Sequence, residues 1–428
     1  MPPAKPRSRL AALDGLRLLA ATMVVFYHYA GAPNANIGDL GHSRALAWGQ
    51  AAANVFPYYV HKAALYGWTG VELFFLISGF VICMSGWGKK PADFFVSRVV
   101  RLLPAYWAAT AITVAVLVIF PRLTGGVRPA AVLANLTMVQ SAYGVPNLVP
   151  AYWTLFVELT FYLIFGLVAI GGVTYRRMVT FCVLWSVASI AAVKSHDAMI
   201  HLIVNPPYSP YFIAGIAFFL IYKFGSNLLL WAIVAYSYLV SANLPHHNPP
   251  WEVTVLMTSF FVVMGLVATH RLDGIRWRWL TLAGALTYPL YLIHQDVGFT
   301  VITYLRGDMP ATVLAPLTFV AMCVLAWLIH RLVERPFAPI LKRKLTEAVR
   351  RVRVSNQQVA SALGLPAAEA GPGAGTGHSN GNGNGNGNGN GNGGVRSRAA
   401  TAPPGGAPGP ADDVDRAPDD VPAVATRH

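Results

Sequence analysis

Apolar residues run along this chain in blocks of roughly 15–25 positions, set apart by short polar or Gly/Pro-containing breaks, almost from the N-terminus to about residue 335. A helix needs about 20 mostly apolar residues to cross a bilayer, and only helices or closed barrels satisfy their backbone there. The pattern predicts helices near 17–32, 67–86, 102–120, 152–171, 178–194, 209–223, 227–243, 252–269, 279–303 and 312–332. The sixth and seventh are short enough to pair as a tilted hairpin. The expected fold class is all-α, a polytopic transmembrane helical bundle of about 10 spans.

Composition agrees: 55% of the 428 residues are hydrophobic and 12% charged, more apolar surface than a water-soluble chain can bury. The net charge of +14 does not imply nucleic acid, because the basic residues sit in short loops between apolar blocks, where they report topology. With the N-terminus inside, the inner side collects Lys5, Arg7, Arg9, Lys89, Lys90, Arg98, Arg101, Arg176, Arg177, Arg271, Arg276 and Arg278 among others. The outer side receives only Arg44, Lys62, Arg122, Arg128, Lys194 and Arg306, so both termini are expected in the cytoplasm. An A-x-A-like site at Ala30-Gly31-Ala32 would suit a cleaved signal peptide, but the many later spans favour a retained first helix. Residues 1–16 then form a cytoplasmic N-terminus, 17–340 the membrane domain and 341–360 a basic juxtamembrane segment on the anionic inner leaflet. Residues 361–428, rich in Gly, Ala, Pro and Asn, form a disordered tail. Cys83, Cys182 and Cys323 lie inside apolar blocks without metal-ligand spacing, so neither disulfides nor a metal is expected.

Ionisable residues inside spans are expensive and by default mark function. Arg17 and His28 stand eleven residues apart, on nearly one helix face and about 16 Å apart along the axis. That puts Arg17 at the cytoplasmic rim and His28 near mid-membrane; the bland alternative is a snorkelling arginine and a hydrogen-bonded core histidine. Arg98 and Arg101, three apart at the start of the third helix, form a cationic patch suited to a phosphate-bearing ligand or a plain positive-inside anchor. Glu158 enters with the fourth helix from outside and reaches a depth close to that of His28, where it either works with a partner or merely holds the bundle. His294 and Glu72 lie toward the outer ends of the ninth and second helices, where either could be interfacial without chemistry. Acid–base groups at mid-to-outer depth and arginines at the inner face suit one substrate arriving from each side.

These residues fall in motifs that resemble the acyltransferase-3 family of integral membrane O-acyltransferases. Leu13-Asp14-Gly15-Leu16-Arg17 with His28 resembles its opening motif, and Gly70 to Phe80, with Glu72 and Ser78, its second-helix signature. Arg98-Val99-Val100-Arg101 followed by Pro104-Ala105-Tyr106-Trp107 is similar to its arginine pair. Tyr152-Trp153-Thr154-Leu155 through Glu158 to Phe161-Tyr162-Leu163, then Leu290 to His294 and Glu334-Arg335-Pro336-Phe337, resemble its later motifs. The motifs come in family order over about residues 10 to 340. Two features depart from the family: Leu159 stands where many members carry a second acidic residue, and the bundle is followed by a tail rather than by the hydrolase-like domain some members have.

The resemblance implies transfer of an acyl group, acetyl, succinyl or longer, from cytoplasmic acyl-CoA to a hydroxyl, most commonly on a cell-envelope carbohydrate or glycolipid. It also implies a multi-pass protein of the inner (plasma) membrane. His28 would be the general base, with Glu158 fixing its tautomer by the logic of a Ser-His-Asp site. His294 would bind or polarise at the outer side, and Arg17, Arg98 and Arg101 would hold the donor's phosphates. An acyl-histidine intermediate is the mechanistic rival. The functional rival is a transporter or flippase in which the same histidines and Glu158 relay protons. Oligomeric state is not encoded legibly.

Overall fold

A computed structural model describes residues 10–31, 55–121, 127–243 and 250–362. It is helical throughout, with no strand among the described residues. Lys5, Arg7, Arg9, Arg44, Arg122 and the predicted disordered tail beyond its first two residues, Ser361 and Ala362, which are helical, lie outside the described residues.

In chain order the helices are α1 (Ala11–Phe26, continued by a π turn at Tyr27–Gly31), α2 (Tyr58–Leu65), α3 (Gly70–Gly86), α4 (Pro91–Ile119) and α5 (Pro129–Asn135). There follow α6 (Trp153–Ala169), α7 (Tyr175–Val193), α8 (Ala198–Val204), α9 (Ser209–Phe224), α10 (Leu228–Asn243) and α11 (Trp251–Ala268). The last are α12 (Arg278–Ile293), α13 (Asp296–Leu305), α14 (Ala311–Ile329, continued by a π turn at His330–Glu334) and α15 (Arg335–Ala362). Every apolar block predicted as a span is helical. Among the described residues, 7 helical segments are long and apolar enough to cross a membrane, whereas α9, α10 and α12 have 16 residues each and α13 has 10.

Two boundaries differ from the apolar pattern in ways that matter for the site. The third helix begins at Pro91 rather than near residue 102, because Pro91 at the first position and Asp93 in the first turn start a helix that apolar run length cannot detect. Arg98 and Arg101 therefore sit about two and three turns inside α4. The ninth block is two helices, broken at His294-Gln295. Gln295 there accepts the Ala151 N–H at 2.9 Å, a contact between segments remote in sequence.

At the centre, α9 is buried along nearly its whole length and packs closely on α3. Gly79 and Gly215 make that crossing possible: a Cβ on Gly215 would stand 2.8 Å from the Gly79 Cα. Small residues are the usual means of bringing helix backbones together in a bilayer. Gly215→Val should cost about 1–3 kcal/mol through overpacking, read as a lower thermal midpoint in detergent. An unchanged midpoint would mean that the two backbones can separate freely. On the other side α1 packs on α12, where a Cβ on Gly284 would come 2.6 Å from the Asp14 Cβ.

Candidate active site

The π turn at the end of α1 carries His28 and Tyr29. Such turns widen a helix by one residue and recur at functional positions. His28 Nδ1 lies 2.8 Å from the Val24 carbonyl, and His294 Nδ1 lies 2.7 Å from the Tyr291 carbonyl. A carbonyl only accepts, so both imidazoles carry their proton on Nδ1 when neutral. His294 Nε2 is then a bare acceptor, 3.3 Å from His28 Nδ1, and His28 keeps a free lone pair on Nε2. His294 is fully buried, His28 is partly exposed, and the Tyr29 hydroxyl donates to the His294 carbonyl at 2.6 Å. The helix break after Ile293 thus brings together two histidines 266 positions apart. Sequence reasoning named both but did not pair them, and it missed Tyr29, for which only adjacency to His28 was a clue.

Glu158 lies elsewhere. It accepts from the Ser78 hydroxyl on α3 at 2.8 Å and from the Tyr162 hydroxyl one turn along α6. Together with Arg17, Arg98, Arg101, Tyr288 and Tyr291 these residues line a narrow cavity of about 80 Å³. The expected pairing of Glu158 with His28 is corrected here, since the partners of His28 are Val24 and His294. The sequence count along each helix gave the two residues a similar expected depth. Azimuth separates them: α6 turns Glu158 toward α3 and α4, while α1 turns His28 toward the end of α12. Tyr291 connects the two places, because it lines the cavity and its ring lies 5.5 Å from that of His294.

A second, wider cavity of about 450 Å³ adjoins the first. Arg17, Val81, Arg101 and Tyr288 belong to both walls, whereas Arg98 belongs only to the narrow one. Arg17 is held by Asp14 at 3.3 Å, which gives the opening Asp-x-x-Arg spacing its physical sense. Of the remaining motif residues, Trp153 packs against Tyr208 (5.0 Å) and Phe75 (6.3 Å) in an aromatic cluster. Glu72 is buried beside Tyr211, away from both cavities. Among the described residues no group of three or more His, Cys, Asp or Glu side chains could hold a metal ion. The cluster of arginines around Glu158 is instead a chemical fit for an anionic ligand.

A chain with several helices long and apolar enough to cross a membrane thus carries a histidine pair, one ring buried and one half-buried, next to Tyr291 in the wall of an arginine-lined cavity. The chain belongs to the acyltransferase-3 family: the family model described as an acyltransferase domain matches residues 10–331. The chain is similar to the exopolysaccharide production protein ExoZ of Rhizobium meliloti (strain 1021), 25% identical over 298 residues, 63% of this chain and 89% of that protein. It is also similar to nodulation protein 10 of Rhizobium leguminosarum bv. viciae, 26% identical over 387 residues, covering 80% and 96%. No solved structure matches.

Proposed function

We propose that this acyltransferase moves an acyl group, such as acetyl or succinyl, from acyl-CoA at the cytoplasmic face of the inner membrane to a hydroxyl of an envelope carbohydrate or glycolipid. The observation that carries the reading is the His28–His294 pair, which Tyr291 links to a cavity lined by Arg17, Arg98 and Arg101. The carbohydrate acceptor is supported by the name of the exopolysaccharide production relative. In this reading all ten apolar blocks span or enter the membrane, both termini are cytoplasmic, residues 17–340 are the transferase unit and the arginines face the cytoplasm.

The acceptor hydroxyl passes its proton to His28 Nε2 as its oxygen attacks the thioester carbonyl. The C–O bond forms, the C–S bond breaks, and the imidazolium returns the proton to the departing thiolate. His294 does for His28 what Glu158 was expected to do: its Nε2 lone pair faces the His28 Nδ1–H and stabilises the positive ring by a neutral acceptor. The arginines hold the donor's anionic end by charge and position. His294→Phe should lower kcat by about 10- to 100-fold and shift the acid limb of the pH–rate profile, with His294→Gln retaining more activity. An equal loss in both variants with an unshifted profile would reduce His294 to packing.

The reading itself is tested on the detergent-purified chain by following thiol release from acetyl-CoA and succinyl-CoA, with and without an envelope-glycan acceptor. Acceptor-dependent release with acyl ester on the glycan is expected. Absence of thioester cleavage and of donor binding across acyl chains and acceptors would defeat it, and would favour the proton-relay transporter.

A further inference from the structure

The break between α12 and α13 gathers a second polar group, for which the proposed chemistry has no task. Asp296 opens α13 and is 1% exposed, and neither of its carboxylate oxygens has a hydrogen-bond partner. Thr110 and Thr113 stand three apart on one face of α4, fully buried, and their hydroxyls are unpartnered as well. The Tyr152 hydroxyl is the common neighbour: Thr110, Thr113 and Asp296 all act on it, and it points at the Leu292 carbonyl at 3.5 Å. Residues from α4, the turn at Pro150–Tyr152, the end of α12 and the start of α13 therefore meet at one place in the core.

Buried polar groups are ordinarily hydrogen-bonded, and a carboxylate left unpaired in an apolar core is costly. A carboxylate in a first helical turn often caps backbone N–H groups, but the Asp296 oxygens meet none. Among the described residues no Lys, Arg or His stands within ion-pair distance of it. What converges is oxygen alone: a carboxylate, the hydroxyls of threonine and tyrosine, and a carbonyl from the last turn of α12, where the helix offers no following amide. Small hard cations take such a donor set, and broken membrane helices hold sodium with carbonyls at their half-helix ends. Charge selects the valence, because one carboxylate balances one positive unit and a divalent ion would leave an excess charge buried. Sodium has nearly the radius of calcium, whose oxygen ligands stand about 2.3–2.6 Å away, so it needs little more room than a water.

We infer that Asp296, Thr110 and Thr113, with the Tyr152 hydroxyl and the Leu292 carbonyl, form a binding site for a monovalent cation of sodium size. The cation joins α4 to both halves of the broken helix beside His294, and so ties the break that brings His294 to His28. Its single carboxylate and neutral oxygens set it apart from a centre built on a His, Cys, Asp or Glu cluster, of which the described residues hold none.

The test is sodium binding to the full chain in detergent, which reads the site whether or not acyl transfer is detected. Binding of sodium-22 is measured by scintillation proximity, and the thermal midpoint is followed as sodium chloride replaces N-methylglucamine chloride at constant ionic strength. Wild type should show a saturable component and a midpoint that rises with sodium. Asp296→Asn keeps the shape, removes the charge and should abolish both. Thr113→Val should weaken the apparent affinity about tenfold while the shift at saturating sodium persists, and it decides the matter if Asp296→Asn does not fold. A midpoint that answers sodium and N-methylglucamine alike, or sodium binding unchanged in the variants, would overturn the assignment. Absence of saturable binding, with a midpoint that follows pH in wild type but not in Asp296→Asn, would mean that a proton neutralises the carboxyl and would equally overturn it.

Discussion

Alanine in place of His28 is expected to reduce kcat for acyl transfer by about 10²–10⁴-fold, the usual contribution of a positioned general base. The side chain is one of the few ionisable groups in the apolar core of α1, and the π turn holds it with Nδ1 committed to the Val24 carbonyl and to His294. Only Nε2 is left to meet a substrate proton. Donor KM should change little, because the arginines lie in a separate wall. Folding is checked by size exclusion and thermal midpoint, and His28→Gln gives a polar variant that can still donate to Val24. A folded His28→Ala enzyme within about tenfold of wild type would remove His28 from the chemistry. Accumulation of acyl-enzyme with ping-pong kinetics in wild type would instead point to an acyl-histidine step.

Glu158→Gln should lower kcat/KM for the donor by about 10- to 100-fold, the worth of one or two hydrogen bonds to a charged group. Its carboxylate ties Ser78 on α3 to Tyr162 on α6 and is the one acidic side chain in the narrow cavity's wall, facing Arg17, Arg98 and Arg101. Glutamine keeps the shape and one acceptor but removes the counter-charge, so the arginines repel one another and lose their fixed positions. Because Glu158 does not touch His28, the acid limb of the pH–rate profile should stay where it is while donor saturation weakens. A shifted limb with unchanged donor saturation would restore the catalytic pairing of Glu158 with His28 and defeat the geometry described here.

The residues of the candidate site stood out in the sequence because a bilayer penalises charge. A histidine, a glutamate or an arginine in a block of apolar residues stands out when every neighbour is Leu, Val, Phe or Ala. Arg17, His28, Glu158 and His294 were found in that way, and the motif order from Leu13 to Phe337 identified the family that the match over residues 10–331 bears out. Tyr291 and Tyr288, which carry the wall between histidines and arginines, look in sequence like ordinary apolar filling of α12.

Apolar block length by itself determined that this chain is helical and crosses the membrane repeatedly, because lipid leaves the backbone no partner but its own turns. The same spacing set how far along its helix each polar group lies. Which groups meet was decided only by tertiary structure. The break at His294-Gln295 depends on Gln295 reaching Ala151, and the close crossing of α3 and α9 depends on two glycines far apart in the chain. The rotation of α6 about its axis separates Glu158 from His28. Rise along a helix accumulates residue by residue and can be counted from sequence; rotation toward a neighbour is set by the neighbour's side chains, and these come from elsewhere in the chain.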